Sequence, residues 1–101
     1  MNDLALVDSL DEITRVIYLE IPSAQLVFFQ ATFELFEGIG IVRTLSIRKS
    51  LVCVITTADC LPECWRILEA VRETVPWRQV ERPEEAQREL YLGYFGRKSN
   101  P

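Results

Sequence analysis

One stretch, residues 24–37, most restricts what this chain can fold into. Its sequence, AQLVFFQATFELFE, holds four of the five phenylalanines of the 101-residue chain, and Gly38 follows it as a residue suited to ending a helix. Gln30, Glu34 and Glu37 recur at helical spacing and form one narrow polar stripe. A helix lying on one sheet needs an apolar arc of about 100°, and this helix has more. We therefore predict that something besides its own sheet covers it.

The other regular patterns predict four strands and two more helices. Runs rich in β-branched and aromatic residues predict strands over residues 14–21, 39–47, 51–57 and 77–81. Ser23 is the predicted N-cap of the first helix, and Asp59 is that of a second helix over 60–75. The second helix has a predicted buried stripe of Leu61, Cys64, Leu68, Val71 and Val75. Residues 84–92 predict a short amphipathic helix.

The order strand, helix, strand, strand, helix, strand is that of an α+β, ferredoxin-like (βαββαβ) antiparallel sheet with two helices on one face. We divide the chain into an N-terminal arm (1–13), the α+β domain (14–82) and a C-terminal helix and tail (83–101). The other sheet face is expected to be open and to need a partner. The turn between the second and third strands does not fix their register, so the faces of Arg43 and Cys53 are left undetermined.

Composition and charge exclude several classes of function. The net charge is −4, with −6 on residues 1–37 and +2 on residues 38–101, so the basic surface that nucleic acid requires is missing. The longest apolar run, Leu51–Ile55, is far too short to span a membrane. The first residues lack the pattern of a secretory signal. Three cysteines, an odd number, indicate free thiols in a cytoplasmic protein.

The segment from Ile17 to Val75 resembles a small bacterial family of uncharacterised domains with a βαββα core. The residues that carry the resemblance run from Glu37 to Leu45, EGIGIVRTL, and are followed by an apolar strand and a helix with an acidic cap. The resemblance implies a ferredoxin-like core. It implies no activity, because none is assigned to that family.

A looser likeness is to ACT domains, ferredoxin-like modules that bind amino acids in metabolic enzymes. Their first strand–helix turn often reads Asp-x-Pro-Gly, and here Glu20-Ile21-Pro22-Ser23 occupies the corresponding place. The acid and the proline fit the pattern, whereas a serine replaces the glycine through which backbone approaches the ligand. The likeness implies a regulatory, ligand-binding role.

The candidate ligand-binding residues are Glu20, Pro22, Ser23 and Arg43. Backbone amides at the start of the first helix could receive a small anionic metabolite, and the Arg43 guanidinium could bind a carboxylate or phosphate. A strand end followed by an N-cap explains the first three residues equally well. A charge that discourages pairing at an edge strand explains Arg43.

Cys60 and Cys64, four residues apart near a helix start, are the alternative site. They could form a redox pair or a soft-metal clip, with Cys53 as a third ligand. Cys64 also belongs to the predicted buried stripe, where a cysteine acts as a small apolar residue. No metal or other cofactor is predicted.

No arrangement of catalytic residues is recognisable, and the chain contains no histidine. Gly38-x-Gly40 follows a helix rather than a strand, so it is not a phosphate loop. The sequence therefore favours a small cytoplasmic ligand-binding or protein-interaction module over an enzyme. We expect it to act as a homodimer or with another protein, and a thiol-based redox or metal-binding protein is the alternative.

Overall fold

A computed structural model describes residues 4–36 and 38–87 of the chain. This part contains 3₁₀ turns at Leu4–Leu6 and Ser23–Gln25. Its strands are β1 (Asp8–Ser9), β2 (Thr14–Glu20), β3 (Ile41–Ser46), β4 (Leu51–Thr57) and β5 (Arg78–Gln79). Its helices are α1 (Leu26–Glu34), α2 (Leu61–Arg72) and α3 (Glu84–Gln87). Within these described ranges, no helix is long and apolar enough to cross a membrane.

The strands form one antiparallel sheet in the order β1-β2-β4-β3, and β5 also pairs with β2. β2 lies against β4 along its whole length, from Thr14 opposite Thr57 to Glu20 opposite Leu51. β1 and β5 share the other edge of β2, one near its start and one near its end. Residues 8–9 therefore belong to the sheet, although the sequence predicted a separate N-terminal arm. The fold class is α+β.

The main core lies between one face of the sheet and the helices α1 and α2. Alternate strand residues point into it because side chains along a strand face opposite sides in turn. The predicted stripe of α2 is confirmed, since Cys64, Leu68 and Val75 are fully buried and Leu61 packs against the same core. The members of this core are Ile17, Leu19, Ile21, Leu26, Phe29, Phe33, Val42, Val52, Val54, Cys64, Trp65, Ile67, Leu68, Val71, Val75 and Trp77.

The prediction of an open second sheet face is wrong. Val16, Tyr18, Cys53 and Ile55 on that face are buried, and Ala86 of α3 packs with them. The physical reason is that the chain after β5 turns onto this face, where an ion pair of 2.7 Å joins Lys49 Nζ to a carboxylate oxygen of α3. Both faces of the sheet therefore bear apolar clusters.

Both predicted helix caps are wrong, and the Ser23 side chain bonds to a partner that is distant in sequence. The 3₁₀ turn Ser23–Gln25 precedes α1, and neither start has a side-chain cap. The Ser23 hydroxyl instead donates to the Ile47 carbonyl at 2.9 Å and lies 2.7 Å from Ser50 Oγ. At α2 the N-cap is Cys60 rather than Asp59.

The first helix also ends earlier than its sequence pattern predicts. α1 ends at Glu34, with Leu35 as its C-cap, so Gly38 is not the residue that terminates it. Gly38 nevertheless has a positive φ of 83°, a conformation that a glycine adopts without steric cost. It serves the loop that leads from α1 into β3.

Candidate functional site

The first strand–helix loop, predicted as an anion site, is engaged with its own neighbours. Glu20 Oε1 accepts hydrogen bonds from Arg78 of β5, at 3.1 Å from Nε and 2.5 Å from Nη2. Ser23 contacts the β3–β4 turn as described above, and Pro22 is exposed at the start of the 3₁₀ turn. The loop is thus fixed by contacts on both sides.

Arg43 lies away from that loop. It pairs with Cys53 of β4, which in turn pairs with Tyr18 of β2, so the three residues form one row across the second face of the sheet. β4 separates Arg43 from the strand that carries Glu20. The structure therefore does not bring the four predicted ligand-binding residues together, and it settles the register that the sequence left undetermined.

The cysteines lie on both sides of the sheet and are not joined by disulfides. Cys64 is fully buried on the helix side, and this burial raises the pKa of its thiol to about 12, with nearby Cys60 adding to the rise and the Thr56 hydroxyl opposing it. Cys53 lies in the second cluster, on the other face. In the part of the chain that the structure describes, no group of three or more potential ligands could hold a metal ion. Cys53 therefore does not supply the third ligand of the alternative cysteine site.

The most prominent surface feature is the outer side of α1 and the turn that follows it. Phe29 and Phe33 point into the core, whereas Val27 is 80% exposed, Leu35 79%, Phe28 52% and Phe36 42%. These residues form two adjacent rows with four-residue spacing, Val27–Ala31–Leu35 and Phe28–Thr32–Phe36. The predicted excess of apolar surface on this helix is confirmed. We call these two rows the outer α1 face.

A groove of about 240 Å³ separates the outer α1 face from α2. Phe28, Thr32 and Phe36 line one side of it. The other side comes from α2 and the turn after it, at Ile67, Ala70, Val71 and Thr74. Of these four residues, the sequence pattern predicts a place only for Val71, in the buried stripe of the second helix. Ala70 and Thr74 are small, uncharged residues beside that stripe, and they are exposed. This pattern is the sequence signal that α2 contributes to the groove.

Charges lie beside this surface rather than in it. Glu34 is the one charged residue among residues 24–36, and it belongs to neither row of the outer α1 face. On α2 the exposed charges pair within the helix, Glu63 with Arg66 and Glu69 with Arg72. The surface is therefore apolar and uncharged in its centre, and such a patch is characteristic of a protein contact.

Comparison of the chain with protein-family models, with curated proteins and with solved structures finds no match.

Proposed function

We propose that this chain is a protein-interaction module that acts as a homodimer through the outer α1 face. The observation that carries the proposal is the exposure of Val27, Phe28, Leu35 and Phe36 on one side of one helix. Burying a large apolar side chain fully is worth roughly 1.5–3 kcal/mol relative to exposure. Covering these four residues therefore provides a driving force that residues 4–36 and 38–87 leave unused.

A second copy suits this surface because of its shape. In a twofold dimer the same patch serves both subunits. With the axis at Ala31, the two helices run antiparallel, and Val27 of one copy meets Leu35 of the other. The small Ala31 at the crossing point lets the helices approach to the usual 8–10 Å or so. The row Val27–Ala31–Leu35 is also a four-residue ridge, the kind that packs into the matching groove of another helix.

Charge also favours a second copy over a charged partner. A twofold axis places the same patch of the two copies face to face, so a patch of one sign repels itself. The outer α1 face has no charged residue, and a partner with a charged surface finds no complement in it. Typical stable interfaces bury about 800 Å² per partner. A surface centred on one helix is smaller, and we expect a dissociation constant in the micromolar range.

We further propose that the core is ferredoxin-like. Without the short β1, the sheet reads β5-β2-β4-β3, and the two longer helices pack on the same face. This is the order expected for a βαββαβ core, to which β1 is an added edge strand. Three thiols without a disulfide fit a cytoplasmic location.

The test is sedimentation velocity of the full chain across the micromolar range, with two matched substitutions. Leu35→Lys places a charge on the outer α1 face, and a cation at the end of a helix does not itself destabilise the helix. Ile13→Lys places the same charge at a similarly exposed residue, 64% accessible, in the turn before β2. We expect Leu35→Lys to weaken the dimer at least tenfold and Ile13→Lys to leave it unchanged.

Two results would contradict the proposal. One is a wild-type chain that remains monomeric throughout the concentration range. The other is an equal effect of Leu35→Lys and Ile13→Lys on the dimer. Circular dichroism of both variants verifies that each is folded.

A further inference from the structure

A second concave feature lies at the end of the sheet where β3 leaves β4. The last residue pair of these two strands is Ile41 with Ile55, and beyond it β4 continues beside β2 alone. The cavity that results has a volume of about 370 Å³. It lies at the end of β2 opposite to Glu20, so it is separate from the predicted anion site. Its lining residues are Thr14, Gly38, Ile39, Gly40, Ile41, Ile55, Thr56 and Thr57.

Contacts within the chain hold the wall of this cavity in place. The Thr56 hydroxyl donates to the Ile39 carbonyl at 2.5 Å, and Cys60 Sγ lies 3.7 Å from the Gly38 carbonyl oxygen. Gly40 packs so closely that a Cβ there would lie 3.2 Å from Ile55 O. The loop from Gly38 to Gly40 is therefore attached to β4 and to the start of α2. The cavity is largely preformed, as binding sites for small molecules usually are.

The lining determines what kind of molecule the cavity accepts. Isoleucine side chains supply its apolar surface, and among the described lining residues no side chain is ionisable. An ion entering it would lose hydration without gaining a countercharge from these described side chains, which is costly. An uncharged molecule with a branched apolar body meets no such cost.

The Thr57 hydroxyl can orient such a molecule. Thr57 Oγ1 accepts a hydrogen bond from the Cys60 backbone N–H at 3.2 Å, and among the described residues its own O–H has no acceptor, so it can donate to a ligand. Thr56 is different, because its hydroxyl already donates to Ile39. A ligand therefore needs an acceptor, such as the carbonyl oxygen of an amide or a ketone, facing Thr57.

We propose that this cavity binds a small uncharged molecule that has a branched apolar group and a carbonyl acceptor. The site is independent of the proposed dimer, because none of its lining residues belongs to the outer α1 face. Its volume is at the lower end of the range for ligand pockets, roughly 300–1,000 Å³. The ligand is accordingly of the size of a small metabolite rather than a nucleotide.

The experiment uses three probes of similar size with the same branched group: neutral isobutyramide, the anion isobutyrate, which keeps a carbonyl oxygen, and the cation isobutylammonium, which has none. Each is titrated into the ¹⁵N-labelled full chain, and amide shifts are followed by NMR. We expect saturable shifts with isobutyramide, confined to the amides around Gly38–Ile41 and Ile55–Thr57. We expect binding of the two ions to be at least tenfold weaker.

Substitutions test the residues that carry the proposal. Thr57→Val removes the donor hydroxyl without changing the shape, and should weaken isobutyramide binding about three- to tenfold, the value of one neutral hydrogen bond. Its matched control is Thr44→Val, a strand position outside the cavity. Ile41→Trp is a second variant that leaves the hydrogen bonds intact and narrows the opening, because Ile41 is 53% exposed at the rim. It should also weaken binding.

Three outcomes overturn the proposal. One is the absence of saturable shifts at the cavity amides with isobutyramide. Another is binding of isobutyrate or isobutylammonium as tight as that of isobutyramide. The last is an effect of Thr44→Val as large as that of Thr57→Val, with Ile41→Trp unchanged.

Discussion

At the scale of single residues, Leu68 shows most directly how the core depends on one side chain. It is fully buried on the inner side of α2. We expect Leu68→Ala to lower the free energy of unfolding by about 2–5 kcal/mol, because transfer and cavity costs add. Ile13→Ala is the control, and at an exposed position outside the outer α1 face it should change stability by less than about 0.5 kcal/mol. Urea denaturation measures both, and similar losses would mean that α2 does not bury this face.

Gly38 and Gly40 stand two residues apart but need to be glycine for different reasons. A Cβ at Gly40 would lie 3.2 Å from Ile55 O, Phe33 Cε2 and Val54 Cγ1, so Gly40→Ala should destabilise by about 1–3 kcal/mol through overpacking. A Cβ at Gly38 would meet no neighbouring atom, so only the positive φ favours glycine at this position. Gly38→Asn should therefore cost less, since asparagine tolerates that conformation. Thermal unfolding measures both variants, and equal losses of stability would contradict the expected difference between Gly40→Ala and Gly38→Asn.

The three thiols are expected to differ in reactivity. Cys60 is partly exposed, whereas Cys53 and Cys64 are fully buried, and a pKa of about 12 keeps the Cys64 thiol protonated at neutral pH. Since the thiolate is the reactive form, a thiol reagent should modify one cysteine in the native chain and three after denaturation. Rapid modification of Cys64 in the native chain, identified by mass spectrometry, would restore the redox alternative.

At the scale of elements, the sequence predicted the helices and strands whose burial pattern is regular. It missed the features that depend on contacts between residues distant in sequence. The stripe of α2 was visible because five apolar residues recur at helical spacing. The role of Ser23 was not visible, because its hydroxyl bonds to the β3–β4 turn, which is remote in sequence. The register of β3 also depends on an irregularity between Thr44 and Ser46, for which the turn residues give no signal.

The pKa of the Glu85 carboxyl reports whether α3 is docked on the second sheet face. Lys49 lowers the pKa of the Glu85 carboxyl below its usual value by a side-chain hydrogen bond, with the local backbone adding to the effect. Because the pKa of Glu85 is lower in the folded state, this contact stabilises the fold fully at pH values above the ordinary pKa of a glutamate. That stabilisation is lost as the pH falls through the lowered pKa of the folded state. We expect Lys49→Met to raise the pKa of Glu85 in an NMR titration. An unchanged value would contradict the contact.

At the scale of the whole molecule, apolar surface is covered unequally. The sequence predicted an apolar excess on α1 and an open sheet face, and it left open whether Leu90, Tyr91, Tyr94 and Phe95 of the C-terminal segment cover apolar surface within the chain or on a second subunit. Those four residues lie outside the described part. In the described part, α3 lies on the sheet face opposite to α1. Composition alone does not say which of two apolar surfaces a short helix such as α3 covers.

The remaining apolar surface makes the stability of the whole molecule depend on its concentration. If the outer α1 face pairs two copies, folding is linked to association, and mass action stabilises the folded dimer. A tenfold rise in concentration then adds about 1.4 kcal/mol per dimer, half of it for each chain, which corresponds to a rise in Tm of a few degrees for a domain of this size. Calorimetry at two concentrations should show this rise for the wild-type chain and for Ile13→Lys. The Tm of Leu35→Lys should stay constant, because the charge prevents pairing without removing any core contact. If the wild-type Tm is also independent of concentration, a second copy of this chain does not cover the outer α1 face.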